Sequence, residues 1–478
     1  RHQRNIATGD SALYSNTTGS NNTAVGGLSL YSNVAGFGNT AVGKMALYSN
    51  INGFSNTATG SYALYANTGG RYNTALGYEC LSLNTTGTRN TASGNNSLYN
   101  NLTGNDNVGF GYLTLFSNTL GSENVAIGSE ALFSNTTGTE NTASGHKALF
   151  NNTTGFSNSG YGFQVLYSNT TGYWNAASGF RTLYSNTTGY GNTATGFGAL
   201  FGNTTGDNNT ANGSQALSSN TSGGGNTGSG LQALYVNRSG DDNTAFGLYA
   251  LRNNLSGNNN TAYGTYALRD NSKGSGITAI GYSADVTSDS LTNSIVIGNE
   301  AIVDASNKIR LGNTDITHAD MQVAWTFTSD RRWKENIQTL PLGLNFINDL
   351  KPVSYHRKNN KEHDLEFGII AQELEETLKK YGFSEEQLGL IDKGADGYYS
   401  VRYNDLISTL IKAVQEQQQI IDGQEQVDAK QQKLIAGHEQ RFQQQETQIS
   451  QLSAKLTSIE AMLSMSSTSG ANLTTSEK

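Results

Sequence analysis

The densest chemistry in this 478-residue chain lies in one short run, Thr328-Ser329-Asp330-Arg331-Arg332-Trp333-Lys334. A serine hydroxyl becomes a nucleophile when a base takes its proton, and a lysine whose charge is disfavoured by burial can be that base. The opposing reading makes Ser329 an ordinary helix N-cap, with Asp330 in the favourable first turn and Lys334 a solvated side chain. Spacing bears on the choice. On a helix of 3.6 residues per turn, side chains at this separation point about 140° apart, so a regular helix keeps them separate. Pairing them requires a turn, or a lysine from another chain.

Other signals carry less. The stretch Gly223-Gly224-Gly225-Asn226-Thr227-Gly228 fits G-x-G-x-x-G, but it sits in a repeat turn with no strand-to-helix context and is no phosphate cradle. Of the 6 histidines only His356 and His363 are near one another, and without cysteine partners or ligand spacing they read as surface loop residues. The many N-x-T sequons coincide with a turn consensus and say nothing of glycosylation by themselves. Cys80 is the only cysteine, which excludes an intrachain disulfide framework. Glu79, Glu123, Glu130 and Glu140 read as isolated carboxylates, short of the pair that glycan hydrolysis needs. No cofactor and no metal are expected.

The elements that must position the serine and lysine belong to two different physical objects. Residues 1–281 hold 45 of the 56 glycines and carry a net charge of about +1, whereas the remainder holds both prolines and a net charge of −9, which makes the chain's total −8. A neutral part followed by an acidic one argues against a nucleic-acid binder. No apolar run approaches the ~20 residues of a membrane-spanning helix, so no membrane insertion is expected in this segment. The chain begins at Arg1 with neither initiator Met nor signal peptide, as a processed product or excised fragment would.

The first object is a clock. Asn22-Thr23-Ala24-Val25-Gly26 returns as 39–43, 56–60 and 73–77, and continues at a step of 17 residues without slipping before Gly281. Leu recurs from Leu13 to Leu268, Gly from Gly9 to Gly281 and from Gly19 to Gly274, and Asn from Asn16 to Asn271. Such a unit is too short for helix-pair repeats, and Asn, Thr and Gly are poor helix formers. T-A-V-G followed by A-L-Y predicts two short strands per coil, closed by a turn at N-T-T-G. Stacked coils put Leu on Leu and Asn on Asn. With strands ~4.8 Å apart, seventeen coils extend roughly 80 Å. Ala and Gly at fixed positions suit close approach between chains, which predicts a homotrimeric rod. The Tyr and Phe column after each Leu, as at Tyr31, Tyr48, Phe133 and Tyr184, is read as interchain packing rather than a carbohydrate stripe.

The motifs I-T-A-I-G-Y-S-A at 277–284 and S-I-V-I-G-N-E-A at 294–301 resemble the head repeats of trimeric autotransporter adhesins of the YadA type. That resemblance implies a trimer of parallel β-rolls, with a triple β-spiral as the alternative shape. After Gly298 the step shortens to 14 residues at Lys308-Ile309-Arg310-Leu311-Gly312, and residues 313–328, with Trp325 and Phe327, are expected to cap the stack.

Beyond the junction, one heptad register holds from Ile407 to Leu463. Position a reads Ile407, Val414, Ile421, Asp428, Ile435, Phe442, Ile449, Leu456 and Leu463, while d begins at Leu410 and carries Gln417, Gln424, Gln431 and His438. This predicts a trimeric coiled coil with a polar centre and bends at Gly423 and Gly437. Between rod and helix, S-D-R-R-W-K-E-N-I from Ser329 and L-x-F-I-x-x-L-x-P-V-S-Y at 344–355 resemble the C-terminal intramolecular chaperone of endosialidases and phage tail fibres. F-G-I-I-A-Q-E-L-E at 367–375 and V-R-Y-N-D-L-I at 401–407 extend the resemblance. It implies a module that trimerises, drives folding of the fibre before it, and cuts itself off just before the serine. Carried over, Ser329 is the nucleophile, Lys334 the general base and Thr328–Ser329 the scissile bond, and Asp330 matches the motif with its role open.

The sequence therefore predicts a mainly β protein: a shaft at 1–298, a cap and junction at 299–328, a small α+β chaperone at 329–402, a coiled coil at 403–464 and a polar tail at 465–478. The expected function is a homotrimeric extracellular fibre, of bacterial surface or phage virion, at most a single-turnover serine autoprotease. Its partners would be copies of itself and a cell-surface glycan or protein receptor. The alternatives are a glycan-degrading tail spike with a site on the shaft, or an uncleaved fibre with an inactive chaperone.

Overall fold

A computed structural model describes residues 4–323, 325–359, 364–384, 389–394 and 397–468; His363 and residues 469–478 of the tail lie outside them. The chain divides into two compact units, Arg1–Ala319 and Asp320–Lys478.

The first unit is a parallel β-solenoid. Three-residue strands recur from Ile6–Thr8 to Thr261–Tyr263, followed by the longer Ser275–Ile280 and Thr292–Ile297 and a last strand, Ile309–Leu311. Together they form a single 19-stranded sheet. Each strand pairs in parallel with the residue 17 further on, as in Thr40↔Thr57 and Ala41↔Ala58. The final pairing, Ile295↔Ile309, advances by 14 as the sequence predicts, so the coil continues past Gly298 to Leu311. These within-chain pairings make a solenoid and leave no place for a triple β-spiral.

Each coil holds one strand, not two. The A-L-Y segment turns instead, because the residue before Ala and the Leu both adopt left-handed angles: Met45 at φ 59 and Leu47 at φ 51, with the same pair in later coils. A left-handed angle costs an L-residue roughly 1–2 kcal/mol. The turn points each leucine into the core, where Leu30 through Leu268 are fully buried, and burying a leucine returns about 1.5–3 kcal/mol. A second sheet occurs only at the end, where Asp285–Val286 pairs with Ile302–Val303.

Two asparagine columns run through the interior. In the turn column, Asn50 Nδ2 donates to Asn33 Oδ1 at 2.7 Å and to the Gly53 carbonyl at 3.0 Å. In the strand-entry column, Asn56 donates its backbone N–H to Asn39 Oδ1 at 3.0 Å, and its amide reaches Asn39 Oδ1 at 3.1 Å and the Gly70 carbonyl at 2.9 Å. Gly70 also accepts from Asn67, so the two columns converge on one carbonyl per coil. From Asn22 onward these asparagines are essentially inaccessible to solvent. Burial is tolerated because every amide finds a partner in the coil before or after.

The small residues are spent within the chain. Ala24, Ala41 and Ala58 are buried inside their own coils, and a Cβ on Gly53 would overlap Asn50 Oδ1 and the Gly70 carbonyl. They therefore give no argument for close approach between chains. The aromatic column corrects another expectation. Tyr14, Tyr31, Tyr48 and Tyr65 stack face to face at 5.2 Å, and a second file runs from Tyr99 through Phe133 and Tyr184 to Phe201. Ring faces are taken by neighbours in the same chain, which leaves edges for any other partner. Cys80 occupies one of the buried Ala positions, and burial pushes its thiol up to about 12, so it is inert.

Of the residues expected to cap the stack, 313–319 belong to the first unit. Trp325 and Phe327 are exposed and belong to the second unit, while Ile316 lies against Gly312 at the solenoid end.

The second unit contains α1 (Leu344–Asp349), α2 (Ala371–Lys380) and α3 (Leu406–Thr468), with strand Pro352–Tyr355 antiparallel to Glu366–Ile369 and Ile391–Lys393 antiparallel to Tyr399–Val401. Its core is small: Leu342, Phe346, Leu374, Leu378 and Leu390, with Tyr381 edge-on to Phe346. α3 runs unbroken through Gly423 and Gly437, so neither glycine interrupts it. Its seam residues Ile407, Leu410, Val414, Ile435 and Leu456 are all exposed in the single chain.

Two stability predictions follow from the solenoid. Asn135→Ala removes a donor to Asn118 and Gly138 and an acceptor for Asn152, and should cost about 1–3 kcal/mol in shaft melting. Thr137→Ala, on an exposed neighbour two residues on, should cost under ~0.5 kcal/mol. The second concerns Asp285, which burial pushes up to about 6, against hydrogen bonds from Val286 and Asp270 N–H, with Asp270 and Arg269 the nearest charges. An acid whose pKa is raised by folding stabilises the fold as its neutral form, so the end coils should firm up as pH falls from 7 through 6 towards 4. The gain, at most roughly 3 kcal/mol, should vanish in Asp285→Asn, read by hydrogen exchange over 275–297.

Candidate functional site

The serine and the lysine meet across a turn. Residues Arg331–Trp333 form a single 3₁₀ turn whose N-cap is Asp330, not Ser329. Asp330 has extended backbone angles, φ −66 and ψ 136, and its Oδ1 accepts the Arg332 N–H at 2.8 Å. Arg332 doubles back to the same carboxylate, Nη2 to Oδ2 at 2.7 Å. Trp333 N–H to Asp330 O and Lys334 N–H to Arg331 O, both 3.1 Å, close the turn. Lys334 then leaves in an extended conformation, φ −121 and ψ 135. Its ammonium comes back over the turn, and Nζ donates to Ser329 Oγ at 2.7 Å.

Asp330 thus has a definite place: its carboxylate engages Arg332 rather than Ser329 or Lys334. The Arg332 guanidinium first, and the Arg332 backbone N–H second, hold that carboxyl below the usual carboxylate range. The turn accordingly stays capped at any pH where Asp330 is ionised. Ser329, Lys334 and Thr328 are exposed in the single chain, and Thr328 lies immediately before the turn.

Residues of the later motifs build the small core of the unit. Phe346 and Leu350 belong to the motif at 344–355, and Ile369 and Leu374 to the motif at 367–375. Tyr381 Oη and Lys380 Nζ hold Asp349 at the end of α1, at 2.8 and 2.7 Å. Two supporting residues escaped the sequence reading. Glu416 of α3 accepts the Leu344 N–H at 2.7 Å and caps α1, and that bond holds its carboxyl below the usual range. Tyr403 Oη accepts the Ile369 N–H at 2.9 Å. Tyr403 stands inside V-R-Y-N-D-L-I, so the motif carried its signal; Glu416 lies 72 residues from its partner, and nothing local marks it.

The shaft carboxylates differ from expectation. Glu123 and Glu140 occupy the same column on consecutive coils and are not isolated, yet both are exposed, and Glu140 Oε2 accepts from Ser157 Oγ at 2.8 Å. Glu130 faces Lys147 at 3.6 Å, and Glu79 accepts from Asn96. His356 contacts the Asp364 carbonyl at 3.0 Å. Among the described residues no group of three or more His, Cys, Asp or Glu is placed to hold a metal, and no helix is long and apolar enough to cross a membrane.

Residues 329–383, from the serine of the turn to the loop after α2, match the family described as the chaperone of endosialidase. The chain is thus a parallel β-solenoid of 17-residue coils followed by a chaperone-of-endosialidase domain and a long helix, a combination that fits a tail-fibre or adhesin type of protein. No curated protein and no solved structure matches it.

Proposed function

We propose that the chain is one protomer of a homotrimeric extracellular fibre, and that its chaperone domain drives trimer folding and then releases itself by cleavage before Ser329. The observation that carries the reading is the 2.7 Å approach of Lys334 Nζ to Ser329 Oγ, made across a turn that opens the family-matched stretch. Ser329 Oγ attacks the Thr328 carbonyl carbon, its proton passing to a neutral Lys334. The Thr328–Ser329 C–N bond breaks as the lysine returns that proton to the departing amine, leaving Thr328 as an ester on Ser329 Oγ. Water then hydrolyses the ester, giving a Thr328 carboxylate and a new N-terminus at Ser329.

Asp330 is a positioning residue, since the turn it caps is what returns the lysine to the serine. A lysine serves as base only in its neutral form, which burial favours. Both groups are exposed in the single chain, so the reading assigns their burial to neighbouring protomers, and cleavage waits for assembly. The exposed seam of α3 supports the trimer, as apolar residues repeating every 3.5 positions call for partner helices. The parallel strands Ser275–Ile280 and Thr292–Ile297, which carry the I-T-A-I-G and S-I-V-I-G motifs, support the likeness to YadA-type heads. A tail-fibre family supports an extracellular or virion location, and the receptor would be a surface glycan or protein.

Expressed wild type should give two bands on a denaturing gel. Ser329→Ala should give one full-length band. Lys334→Arg, which keeps the charge and cannot readily lose a proton, should also stay uncut while native mass still reports a trimer. Equal cleavage of all three proteins would refute the assignment.

A further inference from the structure

Phe327 stands two residues before Ser329, on the shaft side of the bond to be cut. Its ring lines a cleft of about 700 Å³ together with Val401, Tyr403, Ile407 and Ile411. The far wall is held in place. Tyr403 is tied by its hydroxyl to strand Glu366–Ile369, and a Cβ on Gly368 would press against that hydroxyl. Arg402 Nη1 donates to the Gly389 carbonyl at 2.8 Å, and Ser408 Oγ to the Asp405 carbonyl at 3.0 Å. Ile411 supplies an independent observation. In the heptad register it follows Leu410 at d and therefore sits at e, outside the seam, yet it is apolar and 55% exposed. Outside the strict a/d seam, Ile411 is placed to line the cleft, which it does.

We propose that this cleft seats Phe327 and so sets the Thr328 carbonyl against Ser329 Oγ. The occupant is the chain's own segment 327–328: the Phe327 ring, 66% exposed, already borders the open cleft and would close into it, and the scissile bond begins at the next residue. Phe327 is a positioning residue whose wall is the first turns of α3, so the geometry of the bond is set by the base of the same helix whose seam remains uncovered. Holding the reacting atoms together is worth far more than the contact itself, since small misplacements cost orders of magnitude in rate. The proposal rests on the autoproteolytic reading and adds a subsite to it.

The test is a cleavage time course on full-length chains, with trimer content followed by native mass. Phe327→Ala should cut about tenfold more slowly than wild type, and Phe327→Leu, which still fills the cleft, should stay within about threefold. The drop should be parallel at every pH; a shifted pH profile would mean that Phe327 acts by covering Lys334, and would overturn the positioning role. Cleavage of Phe327→Ala at the wild-type rate would overturn it too. Should that variant fail to assemble, Ile411→Ala decides: slower cleavage supports the cleft, and an unchanged rate removes it. Ser329→Ala separates the two readings. If it is still cut, autoproteolysis itself fails; if it stays whole while Phe327→Ala cuts normally, only the subsite fails.

Discussion

The regular coils of the solenoid, from Asn22 to Asn271, depend on buried asparagines that satisfy one another along the axis. An unpaired amide in an apolar interior costs about 1–3 kcal/mol, and each coil carries two amides, together with the carbonyls of a tight turn. The cost disappears only when the coils before and after present the same asparagine at the same height. This explains why the spacing cannot drift: inserting one residue would break the bonds from Asn33 to Asn50 and from Asn39 to Asn56 together. It also explains the glycine whose carbonyl collects both columns, since a Cβ at Gly53 would strike the asparagine it serves. The coils from Ser275 onward confirm the rule by departing from it. Where the Asn pair gives way, strands lengthen to six residues, Ile277 and Val296 fill the interior, and backbone pairing carries the load instead.

This constraint was legible because it acts at one fixed step and repeats. The period, the parallel stacking, the inward leucine and the shortened last coil could all be read from residues 22–312. The shape of a single coil could not. A-L-Y looks like a strand by its apolar content, and nothing in those letters says that Leu47 adopts φ 51. The driving term is tertiary: the left-handed angle is unfavourable locally and is imposed by the burial it achieves. The same blindness affected the alanines, glycines and aromatic rings, whose partners proved to be the neighbouring coils of their own chain.

The candidate site was singled out in the opposite way, through its residue types and through likeness to a family, while the geometry that brings Lys334 to Ser329 was not legible. Helical spacing separates Ser329 from Lys334, and only a capped 3₁₀ turn reunites them. That turn depends on Asp330 bonding Arg332 through both backbone and side chain, a local arrangement that the letters S-D-R-R permit without specifying. Long-range supports such as Glu416 on the N-terminus of α1 were invisible, since a helix cap drawn from 72 residues away leaves no periodic trace.

The two units obey different energetic logics, and the difference bears on why they share a chain. The solenoid satisfies itself coil by coil, so a formed stretch extends readily, but the first coils bury little and have no neighbour to bond. The second unit has a core of a few leucines and one phenylalanine and a 63-residue helix whose seam stands open. Such a helix gains its stability from partners, and partners raise the local concentration of whatever is attached to them. On the proposed reading, a module assembling through α3 would bring several nascent solenoids together at one end and so help the costly first coils to form. The asparagine columns of the coils Thr23–Val25 to Thr261–Tyr263 find their partners in neighbouring coils, so a formed stretch of shaft would not need the helix to keep its amides satisfied. Removal of the assembling module is then compatible with a stable shaft, which is the physical condition that any self-releasing chaperone has to meet.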